Sequence, residues 1–273
     1  MNIKEALLKS EIHISESYIL LSHIIGKDKL FLTVHCDEEL SANQEKAFFD
    51  CVNRRLAGEP LSYITEKREF YGKEFYVNSN TLIPREETEI IIEESKKIFG
   101  RFESINILDL CTGSGCLGIS LACEFPFAKV CLSDISSKAL SVANENVLGF
   151  MTKYNMNGRW IDLVKSDMFE NIKGKFDLIV SNPPYIPTDH IDTLDEDVKR
   201  EPKIALDGGV DGLDFYRVIF EKSKDYLKEN GKIILEIGYN QSEDIKLMAD
   251  RYAYSIYFIK DLQGYNRCGV LSL

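Results

Sequence analysis

A chain of 273 residues has room for an α/β domain of about 200 residues and a smaller accessory domain. Its 33 basic and 44 acidic residues give a net charge of −11, which weighs against a surface built mainly to wrap nucleic acid, because phosphate contacts call for basic side chains. Seven cysteines, at 36, 51, 111, 116, 123, 131 and 268, include no Cys-x-x-Cys pair and no histidine at ligand spacing, so they read as reduced thiols with no bound metal.

Every apolar run in the first thirty residues is broken by a polar or charged one, which predicts neither a secretory signal nor a membrane span and implies a cytoplasmic protein. Residues 1–60 read as a small helical bundle. Ile3, Ala6 and Leu7 form one apolar stripe, and Ser15 caps a second helix carrying Tyr18, Ile19, Leu20, Leu21, Ile24 and Ile25 up to Gly26. Ser41, with Gln44 three residues on, is a capping-box pattern opening a third, longer helix that Gly58 and Pro60 end. Residues 61–80 then alternate aromatic and polar and read as a linker with a hairpin turning near Gly72-Lys73. Residues 81–273 form the second domain, opened by a helix from Pro84 to about Phe99, with acids in its first turn and lysines in its last.

From Ile105 onward short apolar strands alternate with helical patterns, as in a parallel sheet with crossover helices. The predicted strands are Ile105–Leu110, Lys129–Ser133, Asp162–Lys165, Phe176–Ser181, Lys232–Ile237, Ser255–Lys260 and Cys268–Leu273. Residues 261–267 are too few for a parallel crossover, so the final strand must run antiparallel to its predecessor.

The first of these strands runs into Cys111, Thr112, Gly113, Ser114, Gly115, Cys116, Leu117 and Gly118, a Gly-x-Gly-x-x-Gly turn followed by a helix. Asp134, 21 residues after Gly113 at the end of the next strand, suits both hydroxyls of a nucleoside ribose. NAD and S-adenosylmethionine share that ribose. Asp109 separates them: a carboxylate in the glycine turn repels a pyrophosphate but suits an ammonium and a sulfonium. Asp167 is positioned to accept from an adenine amino group, and Met168 beside it to pack on the ring or in the core.

The fourth strand delivers Asn182-Pro183-Pro184-Tyr185 to the same sheet edge, where open α/β sheets bind ligands. An amide or ring-amine nitrogen is a poor nucleophile because its lone pair is delocalised. Acceptors on its two N–H groups orient it and raise electron density at nitrogen. The Asn182 side-chain oxygen and the Pro183 carbonyl are candidates for those acceptors. The prolines stiffen the turn, and Tyr185 offers a ring for a planar group, with Asn182 also beside the cofactor. The same motif suits an adenine or guanine amino group, so a nucleic-acid amino methyltransferase is the alternative reading. Residues 186–213 have no clear periodicity and read as a binding loop, with His190 a surface residue.

Together these residues resemble one family, the release factor glutamine methyltransferases known as PrmC or HemK. The resemblance runs through Arg54-Arg55-Leu56-Ala57-Gly58-Glu59-Pro60-Leu61, Arg68-Glu69-Phe70-Tyr71-Gly72, Leu82-Ile83-Pro84-Arg85 with Thr88-Glu89, the glycine loop, Ser181 to Tyr185, Glu201-Pro202, Gly208-Gly209, Asp211-Gly212-Leu213 and Asp261-Leu262 with Arg267. It implies a class I S-adenosylmethionine-dependent methyltransferase domain, with a Rossmann-like seven-stranded sheet, behind an N-terminal helical domain that docks the substrate. It also implies methyl transfer to the glutamine side-chain nitrogen in the Gly-Gly-Gln motif of peptide chain release factors, with no membrane or direct nucleic-acid partner. The chain departs from the family pattern at Cys111, where Gly is usual, and at Met168, where an aromatic residue is common.

Overall fold

The computed structural model describes residues 1–154, 156 and 158–273. Packing divides them into two units, Met1–Lys67 with Asp195–Arg200, and Arg68–Leu194 with Glu201–Leu273. No helix among the described residues is long and apolar enough to cross a membrane.

The first unit is helical: α1 (Ile3–Lys9), α2 (Ile14–Ile25), α3 (Lys29–Val34), α4 (Ala42–Leu56) and α5 (Leu61–Thr65), joined by the distant α9 (Glu196–Lys199). The Ser41–Gln44 capping box is present in both directions at the start of α4. The α2 cap is His13, whose ring accepts from Ser15 N, rather than Ser15 itself. Leu61–Thr65 is a helix and not part of the linker, because Ile64 joins Leu20, Leu21, Phe48 and Val52 in the core of this unit. Within the same unit Arg55 bridges Glu16 and Asp197, and Arg200 donates to the Ala57 carbonyl.

From Arg68 the second unit starts inside the hairpin of β1 (Lys67–Phe70) and β2 (Lys73–Tyr76). Its turn is Tyr71-Gly72, and both residues have positive φ, as a two-residue type I′ turn requires. Pro84 does not open a helix directly: residues 86–88 make a 3-10 turn before α6 (Glu89–Ile98), since Arg85 is extended. There follow β3 (Asn106–Leu110), α7 (Cys116–Glu124), β4 (Lys129–Asp134), α8 (Ser137–Lys153), β5 (Trp160–Lys165), β6 (Phe176–Ser181), α10 (Asp214–Lys222), β7 (Leu227–Glu236), α11 (Ser242–Arg251), β8 (Ser255–Lys260) and β9 (Asn266–Ser272).

The seven-stranded sheet has the order β5-β4-β3-β6-β7-β9-β8. Its strands are parallel except β9, which runs antiparallel to both β7 and β8, as the short connection demands. This is the class I methyltransferase fold.

Alternation sorts the strands between two cores. Ile107, Leu178, Val180 and Ile234 face the cluster under α6, α7, α8 and the hairpin, which includes Phe75 and Phe150. Leu108, Leu110, Ile179, Ile233 and Leu235 face the cluster under α10 and α11.

Two contacts brace the sheet's carboxyl edge. Asn146 on α8 is buried and donates to the carbonyls of Tyr76 and Ser114 at 2.9 and 2.8 Å while accepting from Tyr76 N at 2.7 Å, tying hairpin, helix and glycine loop together. Gly118 on α7 lies so close to β3 and β4 that an added Cβ meets Leu132 Cδ2 at 2.2 Å and Asp109 Oδ2 at 2.9 Å. Asn146→Ala leaves three backbone groups without this partner and should lower the unfolding free energy by about 3 kcal/mol in chemical denaturation. For Gly118→Ala a loss of about 1–3 kcal/mol is expected from overpacking, with weaker cofactor binding measured by calorimetry.

Candidate active site

The sheet register creates the site. Leu110 stands opposite Ser133 of β4 and Ser181 of β6, Ser133 stands opposite Val164, and Ser181 opposite Leu235 of β7. The residues that follow, Cys111, Asp134, Lys165, Asn182 and Glu236, therefore emerge side by side at the carboxyl edge. Ser181 Oγ donates to the Leu110 carbonyl at 2.7 Å and Thr112 N to the Ser133 carbonyl at 2.9 Å, locking neighbouring strand ends together.

A cavity of about 330 Å³ opens on this edge, within the size range of small-molecule sites. Its wall includes Asp109, Cys111, Thr112, Gly113, Ser114, Asp134, Asp167, Met168, Asn182 and Pro184 from the expected set. Thr88, Arg85, Ala205 and Phe215 join them. Gly115, Pro183 and Tyr185 are not among the described lining residues. Gly115, at φ 80°, instead caps α7 in the left-handed region, against Ile119, Ala143 and Leu132.

Asp134 is held by two backbone amides, Gly113 N on Oδ2 and Ser136 N on Oδ1, both at 2.9 Å. Burial raises its pKa, and each oxygen retains a second lone pair for a hydroxyl donor. Asp109 is differently placed from a simple cation contact. Its Oδ2 accepts from Thr112 Oγ1 at 2.5 Å and Gly118 N at 3.0 Å, so it braces the glycine loop as well as lining the cavity. Burial pushes it up to about 7 against those two hydrogen bonds, an environment in which a bound cation stabilises the carboxylate. Ser114 Oγ is buried on the same wall with no hydrogen-bond partner among the described residues.

These features fit a ribose-bearing, positively charged ligand: paired acceptors at Asp134, an acid at Asp109, an orphan hydroxyl at Ser114, and an apolar flank at Met168. Met168 itself takes a positive φ of 45°, and Cys111 Sγ lies 3.8 Å from its sulfur. Cys111 has φ 57°, the left-handed region that glycine occupies without strain.

Around Asn182 the structure shows partners that sequence reasoning passed over. Asn182 Nδ2 donates to Thr88 Oγ1 at 3.1 Å; Thr88 Oγ1 in turn donates to Glu236 Oε2 at 2.5 Å. Tyr185, expected as an open stacking platform, is partly buried against the α10–α11 core, and its hydroxyl donates to Glu236 Oε1 at 3.2 Å. Burial raises its phenol well above the usual range. The signal for Glu236 was present in Ile233-Ile234-Leu235-Glu236-Ile237: an acid inside an apolar run at the carboxyl end of β7.

The segment from 186 to 213 is not structureless. Gln241 Nε2 donates to the carbonyls of Tyr185 and Gly212, and Gly208 N and Ile186 N exchange hydrogen bonds with the Ile186 and Leu206 carbonyls. Gly208 and Gly212 sit against Tyr185 so tightly that a Cβ on either falls within 2.7 Å of its backbone. The buried Glu201 carboxylate accepts from Ile83 N at 2.9 Å and from Arg85, fixing the Ile83-Pro84-Arg85 rim beside residues 203–205. His190 is exposed, as expected.

Comparison with known proteins agrees with this geometry. Residues 87–199 match the methyltransferase small domain and residues 2–65 the PrmC N-terminal domain. A bifunctional methyltransferase of Rickettsia prowazekii is 41% identical over 92% of this chain, which spans only 52% of that protein. A release factor glutamine methyltransferase of Clostridium acetobutylicum is 39% identical over 98% of this chain and 97% of its own length. Among solved structures, the hMettl16 catalytic domain superposes with a TM-score of 0.60 at 15% identity, covering 92% of this chain and 89% of that one, a likeness of fold. With nearly end-to-end similarity to the Clostridium enzyme, a matching N-terminal domain and the sheet order described, the chain belongs to the release factor glutamine methyltransferase family.

Proposed function

We propose that this chain transfers a methyl group from S-adenosylmethionine to the side-chain nitrogen of a glutamine, that of the Gly-Gly-Gln motif of peptide chain release factors, in the cytoplasm. The observation that carries the reading is the fixed Asn182 amide. Its nitrogen is engaged by Thr88, so its oxygen is the atom available to the cavity.

Bound S-adenosylmethionine supplies a methyl carbon activated by the sulfonium. On this reading Asp134 accepts from its ribose, Asp109 and the glycine loop take the charged amino-acid end, and Asp167 with Met168 borders the adenine. Asn182 Oδ1 and the Pro183 carbonyl accept the two N–H groups of the glutamine amide, holding the nitrogen in line with the methyl carbon. Pro184 bounds the amide plane. Positioning of this kind removes the need for a base before transfer; the proton is lost from nitrogen afterwards, to solvent.

The helical unit is assigned the docking of the release factor. Its support is a self-contained core and the match to the PrmC N-terminal domain over residues 2–65. A nucleic-acid substrate suits the Asn182 motif equally well by chemistry, but the acidic balance of −11 opposes it.

Incubation with labelled S-adenosylmethionine and purified release factor, tRNA, rRNA or DNA, followed by mass mapping, should put label on the Gly-Gly-Gln glutamine alone. Label on nucleic acid and none on that glutamine would refute the proposal. Asn182→Ala should lower kcat about 10²–10³-fold, the loss typical of removing one polar contact to the reacting group, with cofactor affinity little changed.

A further inference from the structure

Asparagine is nearly symmetric in shape, and a half-turn of its amide exchanges the acceptor oxygen for a donor nitrogen. In the wrong orientation Asn182 would present N–H to the N–H of a substrate amide. Something must therefore decide which end faces the cavity, and the hydrogen-bond chain behind Asn182 has the direction needed to do so.

We propose that Thr88 and Glu236 are positioning residues that set the orientation of the Asn182 amide, with the Glu236 carboxylate acting through the Thr88 hydroxyl. This rests on the reading that Asn182 Oδ1 accepts from the substrate.

The logic is one of donors and acceptors. An ionised carboxylate only accepts, so Glu236 Oε2 at 2.5 Å commits the single Thr88 hydroxyl proton to itself. Thr88 Oγ1 then has only lone pairs for its other neighbour, so the Asn182 group at 3.1 Å must be the N–H₂. The oxygen is left for the cavity. The other Glu236 oxygen accepts from Tyr185, the last residue of the same turn, so one buried carboxylate fixes both ends of Asn182–Tyr185.

Neutral Glu236 reverses the code. It becomes a donor to Thr88, frees the Thr88 proton for Asn182 Oδ1, and turns the nitrogen toward the cavity. Burial pushes Glu236 up to about 7, against the opposing pull of Thr88, Arg267 and Tyr185 and with Glu87 reinforcing the rise. Among the described residues, Tyr216, which donates to the Glu236 carbonyl, and the thiols of Cys116 and Cys268 also face it. Protonation removes the oriented state, so turnover supported by Glu236 is full above that pH and falls as pH drops through it.

The test compares wild type, Glu236→Gln, Thr88→Ser and Thr88→Val, with and without Asn182→Ala, at saturating S-adenosylmethionine on release factor. Affinity for S-adenosylhomocysteine and exchange protection of the Asn182 side-chain N–H₂ by NMR are read alongside. Thr88→Val should lower kcat by about 10-fold or more, the scale of one hydrogen bond, and Glu236→Gln, whose amide oxygen can still accept from Thr88, should lower it less, while S-adenosylhomocysteine affinity stays within about threefold in both. Thr88→Ser should restore most of the rate. Neither change should slow the Asn182→Ala enzyme further, and at saturating S-adenosylmethionine, whose positive charge keeps Asp109 ionised, wild type should show an acid limb near 7 that Glu236→Gln lacks.

Wild-type kcat in Thr88→Val, an unchanged acid limb in Glu236→Gln, or full additivity with Asn182→Ala would overturn the proposal. If Glu236→Gln fails to fold, the two Thr88 variants and the NMR protection decide it. Absence of methylation by wild type would instead defeat the underlying reading, and the NMR protection would still report whether Thr88 sets the amide.

Discussion

The adjacency of β3 and β6 in the sheet is the constraint on which the site depends. Because Leu110 stands opposite Ser181 and the two strands are bound through Ser181 Oγ, the glycine loop and Asn182 must leave the sheet at the same level. Hydrogen bonds between parallel strands set their relative height, and the crossover helices α7 and α8 keep the remaining strand ends beside them.

Two buried acids then convert this edge from a packed surface into a polar one. Asp109 and Glu236 each sit where strand alternation would place an apolar residue under α6 and α7. A buried carboxylate persists only when hydrogen bonds replace its water. Asp109 takes Thr112 and Gly118, and Glu236 takes Thr88 and Tyr185. The first pair shapes the glycine loop and the second shapes the Asn182–Tyr185 turn. Both carboxylates are pushed up to about 7, so the same burial that makes them precise makes them sensitive to pH.

Much of this was legible in the sequence because it is local. The strand limits at Phe176–Ser181 and Ser255–Lys260, the Ser41 cap, the hairpin at Gly72 and the antiparallel last strand follow from patterns spanning a few residues. Short helices were harder. Lys29–Val34 and Leu61–Thr65 are too brief to show a helical period and exist because Leu32 and Ile64 find places in a distant core. Within the site, the cavity-lining residues came from the glycine motif and the strand ends, whereas Gly115 serves the turn and Tyr185 the support behind it. The Thr88–Glu236 hydrogen bond joins residues 148 apart, and no local pattern encodes a pairing of that range. Glu236 was visible only as an acid in the apolar run 233–237, without its partner.

The central claim is that Asn182 and Pro183 present two acceptors to one amide nitrogen lying in line with the cofactor's methyl position. A crystal structure of the chain with S-adenosylhomocysteine and a Gly-Gly-Gln-containing release factor tests it most directly. The account predicts the glutamine Nε2 within about 3.2 Å of both Asn182 Oδ1 and the Pro183 carbonyl, with Asn182 Nδ2 on Thr88. A glutamine bound elsewhere, or Asn182 turned so that its nitrogen faces the substrate, would contradict it.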